Sequence, residues 1–395
     1  MFLFRILTRS VLFITSIMAC DAIRANTSLL LRMHMLVEPS RPHLLDDDDV
    51  GNASTSTWLV TNGDIYRDDT RFHVKGMNWY GMETETTILE GLDERTLEDH
   101  IRQMRDLGVN VLRMPWALEG LMTRARHPGV YFYPNLTSQQ CLDCTPTPLS
   151  PLQVLDNLMD TCARHDIMVL LDLHRLRFHA TSALWHDSVY TDVDTVTGWT
   201  FMLQRYQAHP ALLGMDLYNE PHGSATFGTG DGDADVDFLA FVRTAVETLH
   251  NPYIADRLLF VTGIRWGEDM RDYGALPLRF QPFLVLSPHS YGPTLTRPVE
   301  GWQNDTTRLR DRWMTFFLTL HTVQKWAMVV GEWGGDQTSA ADRLWMEAYV
   351  TFLVENGLGQ CFWAWNPNSK DVRGFLEPDW RTPVPFKLAL WQRLA

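Results

Sequence analysis

Two glutamates have the residue type and setting to do chemistry together. Glu220 follows a short apolar run in Leu217-Tyr218-Asn219-Glu220-Pro221, and Glu332 does the same in Val330-Gly331-Glu332-Trp333. Carboxylic acids that face each other across a sugar linkage can break it. One protonates the departing oxygen, while the other attacks the anomeric carbon or activates water. Their separation sets the outcome, about 5–5.5 Å for a nucleophile and about 6.5–9.5 Å when a water stands between. Polar and aromatic groups close the neighbouring apolar runs as well: Asn78 and Trp79, Arg113, Asp172 with His174, Asn219 beside Glu220, His289 with Tyr291, and Trp363. Taken singly, each reads as readily as a core histidine, a salt-bridge partner or a packing plug. Their recurrence at the same end of nearly every run is what points to a site.

Other spacings carry less. Cys141-Leu142-Asp143-Cys144 has no second CxxC and no nearby histidine pair, so it reads as neither a zinc nor a redox motif. Asp231, Asp233, Asp235 and Asp237 invite a calcium reading. An EF-hand loop starting at Asp231 would need Gly and Glu where Val236 and Val242 stand, so a solvated acidic loop leading into a helix is expected. Glu83 and Glu85 are read as loop charges. No metal site and no organic cofactor are expected.

The elements that would carry these groups alternate regularly. Strand candidates are Phe72–Met77, Val109–Met114, Ile167–Leu173, Leu212–Leu217, Leu258–Thr262, Phe283–Leu286, Ala327–Val330 and Gln360–Ala364, with amphipathic stretches such as Thr96–Leu107, Leu152–His165, Phe238–Leu249 and Asp342–Glu355 between them. Near-continuous apolar strands imply a parallel sheet buried on both faces. Eight βα units without GxGxxG or GxxxxGK[ST] favour an α/β fold of the (β/α)8 TIM-barrel type over an open doubly wound sheet. A small N-terminal β-hairpin around Asn62-Gly63 is expected ahead of the barrel. A barrel aims the C-terminal ends of its strands into one mouth, so Glu220 and Glu332 would meet there.

The chain outside the barrel reads differently. Arg5 and Arg9, the apolar run Ser10 to Cys20 and the small-residue site at Cys20-Asp21-Ala22 describe a secretory signal over residues 1–22. The run is short for a membrane span, although an uncut signal anchor is the rival reading. Residues 23–54, with the acidic run Asp46 to Asp49, read as a flexible leader or propeptide, and 55–395 as the catalytic domain. Export agrees with sequons at Asn26, Asn52, Asn135 and Asn304, and with Cys141, Cys144, Cys162 and Cys361, an even set that allows two disulfides. A net charge of −14 excludes a phosphate-binding face and so a nucleic-acid partner, and no stable membrane insertion is expected. The 15 tryptophans fit a protein that stacks on sugars.

Gly76-Met77-Asn78-Trp79-Tyr80-Gly81, Asn110 to Pro115, Leu171-Asp172-Leu173-His174-Arg175, Tyr218 to His222, Pro288 to Gly292, Gly331-Glu332-Trp333-Gly334 and Phe362 to Asn368 together resemble glycoside hydrolase family 5, the cellulase family, in order and spacing. The resemblance implies a retaining double displacement, with Glu220 as general acid/base and Glu332 as nucleophile. It implies that Asn219 holds the sugar 2-hydroxyl and that Arg113 and Tyr291 bond to and orient Glu332. His174 and His289 would line the subsite, His289 near the acid/base. Trp363 would stack under the sugar, Trp79 would offer a further platform, and Asn78 would support the site. After the last strand, Asn368 to Gly374 departs from the glycine-rich Ser-Gly-Asp-Thr-Gly-Gly common in cellulases of the family, and Lys370 and Arg373 add cations near the neighbouring subsites. The expectation is a secreted, extracellular, monomeric endo-β-1,4-glucanase acting on β-glucan polysaccharide. Its alternatives are the same mechanism on β-mannan, mixed-linkage or β-1,3-glucan or glycolipid, or a non-catalytic carbohydrate-binding barrel. No attached cellulose-binding module is expected.

Overall fold

A computed structural model describes residues 56–122, 150–228, 233–253, 255–297 and 299–394. The expected signal and leader, Cys141, Cys144, Asp231 and the sequons at Asn26, Asn52 and Asn135 lie outside the described residues.

The chain opens with an antiparallel sheet of β1 (Trp58–Thr61), β2 (Asp64–Arg67) and β3 (Thr70–Arg71). Asn62 and Gly63 both have positive φ, 53° and 87°, as a tight turn matching the twist of its two strands requires. The barrel follows as β4 (Lys75–Asn78), β5 (Val111–Ala117), β6 (Met168–Arg175), β7 (Leu212–Asp216), β8 (Leu258–Val261), β9 (Leu284–Leu286), β10 (His289–Tyr291), β11 (Ala327–Gly334) and β12 (Gly359–Phe362). Every neighbouring pair is parallel, and β11 pairs with both β9 and β10, which closes the sheet. β9 and β10 are two halves of one stave. Pro288, which has no N–H to donate, interrupts it, and the Pro288 carbonyl accepts from the Gly331 N–H at 3.0 Å. Counted so, the barrel has the eight staves expected.

Helices return the chain between strands, and sequence-local caps start them. Thr96 caps Leu97–Asp106, Ser150 and Gln153 form a capping box on Pro151–Arg164, Thr191 and Asp194 do the same on Asp192–Tyr206, and Ser339 caps Ala340–Asn356. Asp237 fills the same need at Phe238–Tyr253, where its Oδ1 accepts from Ala240 N–H at 3.1 Å. The acidic stretch around it is therefore, in its described part, a helix entry.

Apolar residues form two layers. One lies between staves and helices. The other fills the lower lumen with Val111, Leu170, Leu213, Phe260, Val285 and Val329, closed from below by Trp58, Val60 and Ile65 of the hairpin. The hairpin is pinned there by Val60 N–H on the Pro282 carbonyl at 2.7 Å. Two layers also keep two cysteines apart. Cys162 and Cys361 are both free and buried, so of the disulfides that the even set allows, none joins this pair, while Cys141 and Cys144 lie outside the described residues. Cys361 belongs to the lumen and Cys162 to the outer layer, so the wall of the barrel separates them. Among the described residues, no helix is long and apolar enough to cross a membrane.

Candidate active site

Strand alternation builds the site above the lower lumen. Two residues beyond Val111 on the same face of β5 comes Arg113, and two beyond Leu170 on β6 comes Asp172. Gly214 and Asp216 repeat the step on β7. Arg113 is fully buried and uses its whole guanidinium fork. Nη1 donates to Glu332 Oε1 at 2.6 Å and to Asn78 Oδ1 at 3.0 Å, Nε to Asp216 Oδ2 at 2.9 Å, and Nη2 to Asn219 Oδ1 at 3.0 Å, with Asp172 Oδ1 3.1 Å away. Burial alone would lower the Arg113 pKa, but Asp172, Asp216 and Glu332 outweigh it and hold the group above its ordinary value. Asn78 in turn donates to the Gly331 carbonyl at 3.0 Å, which ties β4 to β11.

Glu332 is held from two sides. Besides Arg113, the Tyr291 hydroxyl donates to its Oε2 at 2.5 Å. Gly331 lets the neighbouring staves approach, since a Cβ there would lie 2.2 Å from Ser287 Oγ and 2.9 Å from His289 Nε2. Glu220 stands opposite, its side chain 15% exposed, with His289 Nδ1 2.9 Å from its Oε1. One carboxylate oxygen of each glutamate and a ring nitrogen of His289 all lie within 4.8 Å of one another. The Glu220 backbone is left-handed, at φ 50°, a conformation that costs a non-glycine residue about 1–3 kcal/mol. It is secured on each side by Asn219 N–H on the Leu173 carbonyl at 3.0 Å and by His222 Nδ1 2.8 Å from the Glu220 carbonyl.

Burial sets the protonation of the remaining groups. It pushes Glu220 up to about 8, with Asp172 and Asp371 adding to the effect and Arg113 opposing it. It pulls His174 down to about 3 and His289 down to about 4, so both rings are neutral at ordinary pH. His174 Nδ1 lies 2.7 Å from Asp172 Oδ2, and its ring stacks on Trp363 at 5.2 Å between centroids. Asp172, His174 and Glu332 also bring ligand-type atoms within 4.8 Å. A cation bound by either triad would share Glu332 with the Arg113 guanidinium, so Coulomb repulsion opposes it.

A cleft of about 740 Å³ gives access to Glu220, Glu332, Asn219, His174, His289, Tyr291 and Trp363 together. Two sequence-stated roles need correction. Trp79 is fully buried, donates from Nε1 to the Glu90 carbonyl at 2.9 Å and packs on His100, so it presents no face to a ligand. Period-two alternation from Asn78, which faces the lumen, would have sent it outward. Glu83 is likewise buried rather than a free loop charge. It accepts from Gly81 N–H at 2.8 Å, and burial pushes its pKa to about 7. Glu85 is exposed and pairs with His179. Of the two added cations, Arg373 turns to Asp336 at 3.2 Å, and Asp371 is the residue of that loop that lines the cleft.

Four contributors escaped sequence reasoning. Asp216 was legible as a lone carboxylate in an apolar run. Tyr80, stacked on Trp363 at 5.6 Å, sat inside a quoted motif. Arg265 and Trp266 line the cleft from the loop after β8, and no periodic signal marks them.

A parallel eight-stave barrel whose mouth opens on a buried, ligand-accessible carboxylate pair has the architecture of a glycoside hydrolase. Residues 68–369 match the family described as Cellulase (glycosyl hydrolase family 5). The chain is 32% identical over 340 residues to the major extracellular endoglucanase of Xanthomonas campestris pv. campestris, covering 81% of this chain and 67% of that one. It is 29% identical over 355 residues to an endoglucanase of Paenibacillus polymyxa, covering 84% and 85%. Among solved structures, the catalytic domain of the Xanthomonas enzyme superposes with a TM-score of 0.73 at 28% identity, covering 85% of this chain and 99% of that one. An endocellulase of Pyrococcus horikoshii in complex with cellotetraose gives 0.74 at 25% identity, covering 87% and 99%. The chain belongs to glycosyl hydrolase family 5 and is a cellulase-type glycoside hydrolase.

Proposed function

We propose that this protein is a secreted endo-β-1,4-glucanase that cleaves internal bonds of cellulose or related β-glucans with retention of anomeric configuration. Glu332 attacks the anomeric carbon, while Glu220 gives its proton to the departing oxygen as that bond breaks. Glu220 then takes a proton from water, whose oxygen displaces Glu332 and restores both groups. The observation that carries this reading is that one carboxylate oxygen of Glu220 and one of Glu332 lie within 4.8 Å of each other, in keeping with the close pair of a retaining enzyme rather than the wider gap that holds a water. The raised pKa of Glu220 keeps a proton available to it, and Arg113 and Tyr291 hold Glu332 as an oriented nucleophile. In this reading Asn219 meets the sugar 2-hydroxyl, and Trp363 and Trp266, which both line the cleft, are the aromatic rings available to the sugars. Export rests on the residue 1–22 pattern, with 23–54 as a leader. The relative from Xanthomonas, named as extracellular, agrees with it.

Product analysis on defined cello- and manno-oligosaccharides, with NMR of a fresh digest, tests the substrate and the stereochemistry together. β-Anomeric first products from cello-oligosaccharides are expected, and an α-anomer would overturn the double displacement. Glu332→Gln should lower turnover at least about 10⁴-fold while calorimetry still detects oligosaccharide binding. Near-normal turnover would remove Glu332 as nucleophile.

A further inference from the structure

The cleft has two chemically different walls. The loop after β12 supplies Trp363 and Asp371, while the loop after β8 and the segment after β10 supply Arg265, Trp266 and Arg297, with Arg312 behind them. Arg312 is matched by both carboxylate oxygens of Glu268. The other two arginines are not matched. The Arg265 side chain is 67% exposed, and its nearest carboxylate, Asp269, stands 3.8 Å away, already gripped by Arg271 at 2.8 and 2.7 Å. Arg297 is exposed, and among the described residues no carboxylate pairs with it. Two cations, one weakly paired and one without a carboxylate partner among the described residues, run against the charge of a chain that carries −14 overall.

Their presentation is built into the backbone. Arg265, Trp266 and Gly267 are left-handed in succession, at φ 57°, 62° and 82°, and only the glycine adopts this conformation freely. Bridges between Gly263 and Gly267 and between Ile264 and Asp269 close the turn. Trp266 N–H donates to the Pro221 carbonyl at 3.2 Å, which fastens the turn to the residue after Glu220. An acid must reach the departing oxygen, so the wall beside Glu220 borders the leaving sugar.

We infer that this wall is a subsite for a sugar carboxylate. Arg265 and Arg297 select glucan chains that carry an acidic sugar just beyond the cleaved bond, either an aldonate at the reducing end or a uronate within the chain. The guanidinium fork matches a carboxylate through paired N–H donors. Arg265 and Arg297 are specificity residues, and the inference rests on the hydrolase reading above.

The test compares kcat/KM at low ionic strength for cellopentaose derivatives that differ in one group: the neutral alditol, the aldonate, and a chain with one C6 carboxylate. At least one acidic form should be favoured roughly three- to tenfold, chiefly through KM, and which one is favoured identifies the source of the carboxylate. The preference should vanish at about 0.5 M NaCl and in the double variant Arg265→Gln/Arg297→Gln. Equal or better cleavage of the alditol at low salt would overturn the inference while leaving the hydrolase reading intact, as would a preference that survives the double substitution. Failure to cleave any of the three would instead strike the hydrolase reading, and this one with it.

Discussion

The lower and upper halves of the barrel lumen are lined by the same strands, yet they obey opposite rules. Below lie Val111, Leu170, Phe260, Val285 and Val329, sealed by the hairpin. Above lie Arg113, Asp172, Asp216 and Glu332, equally shut off from water apart from the cleft. Burial stabilises the lower half by about 25 cal/mol per Å² of apolar surface. The upper half bears a desolvation cost that is offset only where each charge finds its partners. One step of strand periodicity separates the two regimes, so reactivity is confined to the upper layer while both layers bear on stability.

Substitutions in the two layers should therefore fail in different ways. Glu220→Gln should lower kcat on cello-oligosaccharides by about 10²–10⁴-fold. Aryl glycosides with good leaving groups should lose much less in the first chemical step, seen as a burst of phenolate, because they need no proton. Arg113→Met should reduce kcat about 10²–10³-fold and also destabilise the fold by about 3–5 kcal/mol, since three buried carboxylates lose their cation. Parallel kinetics and denaturant titration would measure both, and a stable but inactive variant would show that the network is not structural. The pH profile comes next in size. Glu220 must be protonated to act first, and its pKa is raised to about 8, so kcat/KM should hold across neutral pH and fall about tenfold per unit above that value. A fall beginning near 4.5, the ordinary carboxyl value, would contradict the desolvated acid. Last, Phe260→Ala in the lower lumen should cost about 3–5 kcal/mol in unfolding while kcat per folded molecule stays unchanged. A changed kcat there would mean that the two layers are coupled.

Much of this arrangement was legible beforehand because it is local. Each of the eight strand candidates overlaps a stave, each of the four named helical stretches overlaps a helix, and the Asn62-Gly63 turn forms the expected hairpin. What escaped depends on which groups meet across the fold. Trp79 is aromatic and adjacent to the site in sequence, but it faces the helix layer. Cys162 and Cys361 share a chain that could be oxidised, yet they lie on opposite sides of the barrel wall. The cleft lining at Arg265 and Trp266 follows from a left-handed turn that no periodicity announces.

The amino-acid sequence by itself determined the alternating elements, the face each strand residue occupies, and the presence of two carboxylic acids at strand ends, because these follow from short-range sterics and a period of two. Only the tertiary structure decided how near those acids stand and how strongly one of them holds its proton. Both depend on desolvation and on charges brought from distant staves, and such interactions exist only once the sheet has closed.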